Sequence, residues 1–393
     1  MITDHSRGRD ADASQLAGLL RQKVFDEARD LDAIVTADPD HVGYLTGYRS
    51  MAHDMSRHYA VAAVATRDGA TLVLGAADAP PALEVLGDPA CLFRYGTFFV
   101  ETRGRSGIAL CRDSVPSFGE ALAAALHGLA PGLRLGVDRT GHAWRTLPVD
   151  ESCPDARPAL IAARRTKLPG EIARIRKAAM LLEEGVEAAF ALAKAGVSEC
   201  EIAAVVTQAI VAGGGVPRAI AVTSGPRSGL VDAFPSSRLL ERGDLLRLDL
   251  DCTYDGYWAD VARTGVIENA SPLQRQRFDA TAAGLEAERA ALGPGTRACD
   301  LFAIAVGATR RAGLPAYRRQ HCGHAIGIEA NEQPRLAPGD ETALEAGMVL
   351  CIETPFYEQD WGGLMSEDMV EITASGFAPI TTLPADLRTC GGC

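Results

Sequence analysis

Leu240–Asp249 reads LERGDLLRLD, and Leu344–Glu353 reads LEAGMVLCIE. Laid together without a gap, the two stretches share Leu-Glu-x-Gly, a hydrophobic run, and an acid at the tenth position: Asp249 in one, Glu353 in the other. A repeat of this kind describes architecture before chemistry, and this one predicts a domain built twice on one plan. Each acid-bearing strand is followed by a turn and a second acid, Asp260 in DGYWAD and Glu367 in WGGLMSE. Carboxylates gathered by such symmetry repel one another, and burying them uncompensated is prohibitive. Two divalent cations would neutralise them, and His324, in HCGHAIG between the repeats, offers an imidazole. The chemistry open to such a cluster is metal-assisted.

The elements that would carry these residues are legible from periodicity. Alternate side chains on a strand share a face. Arg247, Asp249 and Asp251 therefore point one way, and Leu246, Leu248 and Leu250 point into packing on the other. Ahead of this strand, Ile172, Ile175, Ala179, Leu182, Val186 and Phe190 keep helical spacing from about Glu171. Ser198 with Glu201 forms a capping box for a second helix that Gly213–Gly215 closes. Ser271-Pro272 with Gln274 opens a third, and a fourth is expected over Cys299–Ala312. Two helices and then acid-bearing strands, twice over, restate the repeat. Earlier in the chain, strands at Ala33–Thr36, Tyr59–Thr66, Ala70–Leu74 and Arg134–Asp138 alternate with helical segments, including Ser117–Leu129. This is an α/β pattern. The break at Pro169-Gly170 suggests two domains, residues 1–163 and 164–393.

With 393 residues, 47% of them hydrophobic and 23% charged, the composition is that of a globular protein with room for two cores. A net charge of −12 argues against nucleic acid as a partner. The pairs Arg164-Arg165, Arg310-Arg311 and Arg318-Arg319 are too short to reverse that and read as solvated faces. The polar N-terminus MITDHSRGRDADASQ has no apolar signal region, and no run is long enough to span a membrane, so a cytoplasmic protein is expected. Ten cysteines then read as free thiols. Cys351, in apolar context, reads as a core residue, and Cys390 with Cys393 as a disordered tail.

From about Lys167 to Leu387 the chain resembles the pita-bread metallopeptidases, which include methionine aminopeptidase, aminopeptidase P and prolidase. Their non-peptidase relatives are creatinase, ectoine hydrolase and the dimethylsulfoniopropionate lyase. DAIVTADPDHVGYLTGY is similar to the creatinase-type N-terminal domain, and RTKLPGEIARIRKA to the junction those proteins use. The resemblance implies an α+β pita-bread catalytic domain with a pseudo-two-fold axis, preceded by a smaller α/β domain. It implies a metal-ligand set of Asp249, Asp260, His324, Glu353 and Glu367, holding two divalent ions (manganese, iron, cobalt or zinc). A hydroxide shared by the ions would be the nucleophile and Glu353 the proton shuttle. A homodimer acting on a small molecule or short peptide is expected.

Three positions depart from the peptidase pattern. Asp232 and Asn331 stand where the peptidases keep histidines near the reacting carbonyl. A neutral Asn331 can donate a hydrogen bond, whereas an ionised Asp232 cannot and would repel an oxyanion. Asp251 replaces a glycine; it either pairs with Arg247 or adds negative charge that selects a cationic substrate. Further candidates for substrate contact are Arg227 in SGPR, His321 beside the metal histidine, and His53, Arg57 and His58, which would reach a partner's site in trans. The leading expectation is a dinuclear-metal hydrolase cleaving an amide or related C–N bond in a small, cationic molecule. The alternatives are a true Xaa-Pro dipeptidase or aminopeptidase, a metal-dependent lyase, and a non-catalytic binding protein on the same fold.

Overall fold

The computed structural model describes residues 5–56, 58–98 and 114–391. Its contacts divide the chain into two compact units, Met1–Arg164 and Arg165–Cys393.

The first unit is built on a five-stranded mixed sheet. Its strands are β1 (Ala33–Thr36), β2 (Ala62–Thr66), β3 (Ala70–Gly75), β4 (Leu92–Tyr95) and β5 (Leu135–Val137), in the order β4-β3-β2-β1-β5. Both faces are apolar, as a covered sheet requires. Val35, Val64, Val73 and Val137 pack with Leu122 and Ala125 of the helix Phe118–His127. Ala63, Leu72 and Leu74 pack on the other side with Val42, Tyr48, Ala79 and Ala82. The helix Pro39–Thr46 starts where Asp38 accepts a hydrogen bond from the His41 amide, with proline in its first turn.

His41 sits in a buried polar chain. Its Nδ1 lies 2.7 Å from Asp138 Oδ2, and Arg164 Nη1 lies 2.7 Å from its Nε2. Thr36 Oγ1 donates to Asp138 Oδ2 at 2.6 Å, and Thr140 Oγ1 to Oδ1 at 2.6 Å. Arg164, expected on a solvated face, is therefore buried, because His41 gives it a partner inside. Burial alone would raise the Asp138 pKa, but hydrogen bonds from His41, Thr140 and Thr36 outweigh it and hold the carboxyl below its usual value. Because the folded pKa is depressed, the stabilisation is complete above a pH of about 4 and fades as pH falls below that. Replacing His41 by Leu leaves Asp138 buried without its main partner. Urea unfolding should then show a loss of about 3 kcal/mol. A change within about 0.5 kcal/mol would mean that the chain carries no structural weight.

The second unit holds a nine-stranded sheet. Its strands are β6 (Val216–Ser224), β7 (Leu245–Tyr254), β8 (Tyr257–Ile267), β9 (Gly323–Ala325), β10 (Glu332–Arg335) and β11 (Val349–Glu353), followed by a small hairpin of β12 (Phe356–Glu358) and β13 (Gly362–Leu364) outside the main sheet, then β14 (Glu367–Thr373), β15 (Gly376–Pro379) and β16 (Arg388–Cys390). The main order is β10-β9-β11-β14-β8-β7-β6, with β15 on β14 and β16 on β8. Four helices, Pro169–Leu192, Glu199–Ala212, Pro272–Ala290 and Ala298–Arg311, occupy the places the periodicity predicts. The capping boxes at Ser198 and Ser271 are both formed.

The repeat is visible in the backbone. Gly196 N donates to Leu240 O and Gly295 N to Leu344 O, at 2.9 and 2.8 Å. Gly243 N donates to Ile267 O and Gly347 N to Ile372 O, both at 2.8 Å. The glycine of each Leu-Glu-x-Gly stretch takes a left-handed turn, φ 82° at Gly243 and 91° at Gly347, which a side chain would strain. The two halves meet where Glu367 on β14 stands opposite Ala262 on β8. The C-terminal segment differs from expectation. Far from being a tail, Cys390 is buried on β16, paired in parallel with Ile267; Cys393 lies outside the described residues.

Candidate metal centre

Strand register alone brings the acids to one face. Cys351 on β11 stands opposite His324 on β9, and Glu353 opposite Glu367 on β14. Across the junction Glu367 faces Ala262, which faces Asp249; one step along, Asp260 faces Asp251. Residues opposite one another, or two apart on one strand, share a side of the sheet. His324, Cys351, Glu353, Glu367, Asp260, Asp249, Asp251 and Arg247 therefore all point the same way. The intervening residues point into packing. Leu246, Leu248 and Leu250 are fully buried, and Cys252 Sγ reaches Ala178 O on the helix Pro169–Leu192 at 3.3 Å. Leu350 and Ile352 join the core under the helix Pro272–Ala290 with Leu285 and Leu301.

Ligand atoms of Asp260, His324, Cys351 and Glu367 lie within 4.8 Å of one another. Among the described residues, no donor reaches either oxygen of Glu367 or Oδ1 of Asp260, although all three atoms are buried. Burial first, and then the neighbouring acids, push both carboxyls well above their ordinary pKa. Without a cation, these two carboxyls favour the protonated form. His324 is prepared as a donor. Burial keeps its pKa low, and Nδ1 lies 3.1 Å from Ala325 O, which as hydrogen-bond acceptor leaves Nε2, 3.8 Å from Asp260 Oδ2, with a free lone pair. Buried carboxylates lacking donors, beside a neutral imidazole, fit a divalent metal ion.

Asp249 and Glu353 face the same space but hold cations of the protein. Asp249 Oδ2 accepts from Arg247 Nη1 at 2.8 Å. The fully buried Arg247 also donates to the carbonyls of Ser228, Leu230 and Val231. Glu353 has Arg319 Nη2 at 3.3 Å and His321 Nδ1 at 3.0 Å. Burial alone would raise its pKa; the adjacent His321 ring and the Arg319 charge reverse this and hold it low. Nearby, Glu288 is fully buried with neither oxygen hydrogen-bonded, and burial raises its pKa well above the usual value.

The remaining candidates are dispersed. Asp251 does not pair with Arg247, which turns to Asp249. Its Oδ1 is buried without a donor, and burial with the Asp249 charge raises its pKa to about 8. Asp232 and Asn331 are exposed; burial chiefly raises the Asp249 pKa against the pull of Arg247, with Glu353 and then Asp232 adding to the rise. Arg227 is taken up by the buried Glu199 at 3.1 Å and by Phe234 O. His53 and His58 belong to the first unit, half-buried and exposed, and Arg57 lies outside the described residues. The sequence reading missed two residues. Arg319, whose sequence context predicts a solvated face, instead binds Glu353 and lies over the Tyr357 ring at 5.8 Å. Cys351 is buried, as its apolar context predicts, and its position two residues before Glu353 on a strand places it on the acidic face.

Burial pushes the Asp260 and Glu367 carboxyls up, so metal uptake should expel protons from them. Titration calorimetry in buffers of different ionisation enthalpy should register proton release. Glu367→Gln should weaken binding by about 100-fold or more. Uptake with no proton release contradicts the electrostatics described.

The sequence profile of metallopeptidase family M24 matches residues 173–374. The Xaa-Pro dipeptidase of Pyrococcus furiosus is 34% identical over 229 residues, 57% of this chain and 65% of that protein. The Xaa-Pro dipeptidase of Pyrococcus horikoshii is 33% identical over 229 residues, 57% of this chain and 64% of that protein. The matched segment thus spans under two thirds of these relatives' length. Among solved structures, the prolidase from P. furiosus has a TM-score of 0.71 at 25% identity, covering 92% of this chain and 99% of that one. The dipeptidase PepE of Mycobacterium ulcerans has a TM-score of 0.75 at 27% identity, covering 98% and 99%. The repeat, the face of acids and these likenesses converge: the chain has the pita-bread fold and belongs to metallopeptidase family M24.

Proposed function

We propose that this protein is a metal-dependent hydrolase that cleaves an amide bond in a small substrate. The observation that carries the reading is the set of buried, donorless oxygens on Asp260 and Glu367 beside His324. With Asp249 and Glu353, these residues would hold two divalent ions, manganese, iron, cobalt or zinc. Bound there, such ions supply Lewis acidity toward a carbonyl oxygen and toward water. Glu353, kept ionised by His321 and Arg319, takes a proton on a carboxylate oxygen and returns it to the leaving nitrogen. Arg247, by holding Asp249 and three carbonyls of the 228–231 segment, fixes the edge of the site.

Two substrate readings follow from different observations. The exposed Asp232 adds negative charge, and the buried Oδ1 of Asp251 lacks a donor that a small cationic amide could supply. The likeness to proteins named Xaa-Pro dipeptidase supports a proline-containing dipeptide. Metal-depleted protein reloaded with each ion should be assayed on both classes. Hydrolysis should appear only with metal. At saturating metal, Glu353→Gln should lower kcat by at least about 100-fold. Turnover confined to Xaa-Pro dipeptides would refute the cationic reading, and turnover that survives chelation would refute the proposal itself.

A further inference from the structure

The identity of the fourth ligand atom in the cluster bears on which metal the site holds. We infer that Cys351 supplies a thiolate to the metal held by Asp260, His324 and Glu367, making that half of the centre a mixed nitrogen, oxygen and sulfur site. The inference rests on the metal-dependent reading above and deepens it.

Strand geometry fixes the direction of the thiol. Cys351 lies directly opposite His324, and its strand neighbours Leu350 and Ile352 fill the core on the reverse side. Its sulfur lies within 4.8 Å of ligand atoms on Asp260, His324 and Glu367. Cys351 is fully buried, and among the described residues its sulfur enters no hydrogen bond. Cys252 shows what a structural thiol does in the same sheet. It points to the helix side and donates to Ala178 O. An independent observation points to a cation at this spot: Glu367 is 1% exposed, and both its oxygens lack a donor.

A thiol that binds a metal ion gives its proton to solvent, and no electron changes hands. A soft sulfur donor moves preference from manganese toward zinc, cobalt and iron(II), which accept thiolate readily. It also adds a negative charge to the pocket formed by Asp260 and Glu367, which tightens binding of any divalent ion there.

The test is spectroscopic. Full-length protein stripped of metal and titrated with cobalt(II) should show sulfur-to-cobalt charge-transfer absorption in the near ultraviolet. X-ray absorption of the zinc-loaded wild type should show a sulfur shell at about 2.3 Å. In Cys351→Ser the charge-transfer band should vanish while the weaker visible cobalt bands remain. The ratio of zinc to manganese affinity should fall by about 10-fold or more. Cobalt bound with no charge-transfer band, or a band that persists in Cys351→Ser, overturns the thiolate and leaves the hydrolase reading standing. Failure of the wild type to bind any divalent ion overturns both. Should the variant not fold, the sulfur shell of the wild type decides alone.

Discussion

The constraint on which the second unit depends is negative charge buried on one side of a sheet. Asp249, Asp251, Asp260, Glu353 and Glu367 share a face, with Glu353 and Glu367 buried and the three aspartates partly so. At an effective dielectric of about 20, like charges 4 Å apart repel by about 4 kcal/mol, so the cluster cannot be ionised and unaccompanied. The protein answers part of this itself, with Arg247 on Asp249 and Arg319 with His321 on Glu353. Asp260 and Glu367 receive no such partner. The division is chemically sensible. A guanidinium neutralises its acid while leaving lone pairs on it for an ion, whereas the donorless oxygens beside a neutral imidazole depend on an ion alone.

Duplication explains how a chain assembles such a face without a long search. Each half offers a Leu-Glu-x-Gly turn, a strand with one apolar side and an acid at its far end. The same backbone hydrogen bonds recur about a hundred residues apart. Because the halves join through β8 and β14, the acids of both reach the middle of one sheet. The alternate residues, Leu246, Leu248, Leu250, Leu350 and Ile352, lie in the cores beneath the helices. Packing that holds the strands therefore also sets where the acids stand.

Much of this was legible from the residues. The period-two alternation at 245–251 and the capping boxes at Ser198 and Ser271 are local signals, and local physics realises them. What escaped was decided by distant parts of the chain. Arg319 and Arg164 look solvated in sequence, yet each is drawn inward by a partner far away, Glu353 and His41. Cys390 looks like a frayed end because its pairing with β8 spans more than a hundred residues. Asp251 and Arg247 share a strand face, but four residues along a strand set them about 13 Å apart, and Arg247 meets Asp249 and the carbonyls of the 228–231 segment instead. Cys351 is buried as expected, but on the side of the sheet that holds the acids. Hydrophobic neighbours on both sides suggest a core, whereas alternation along the strand assigns every second residue to the opposite side.

The most direct measurement is anomalous diffraction at a metal absorption edge, from crystals grown with a divalent transition metal. The account predicts an anomalous peak within bonding distance of Asp260, His324 and Glu367. A map with no peak there, with Glu367 turned to a protein donor, would contradict it.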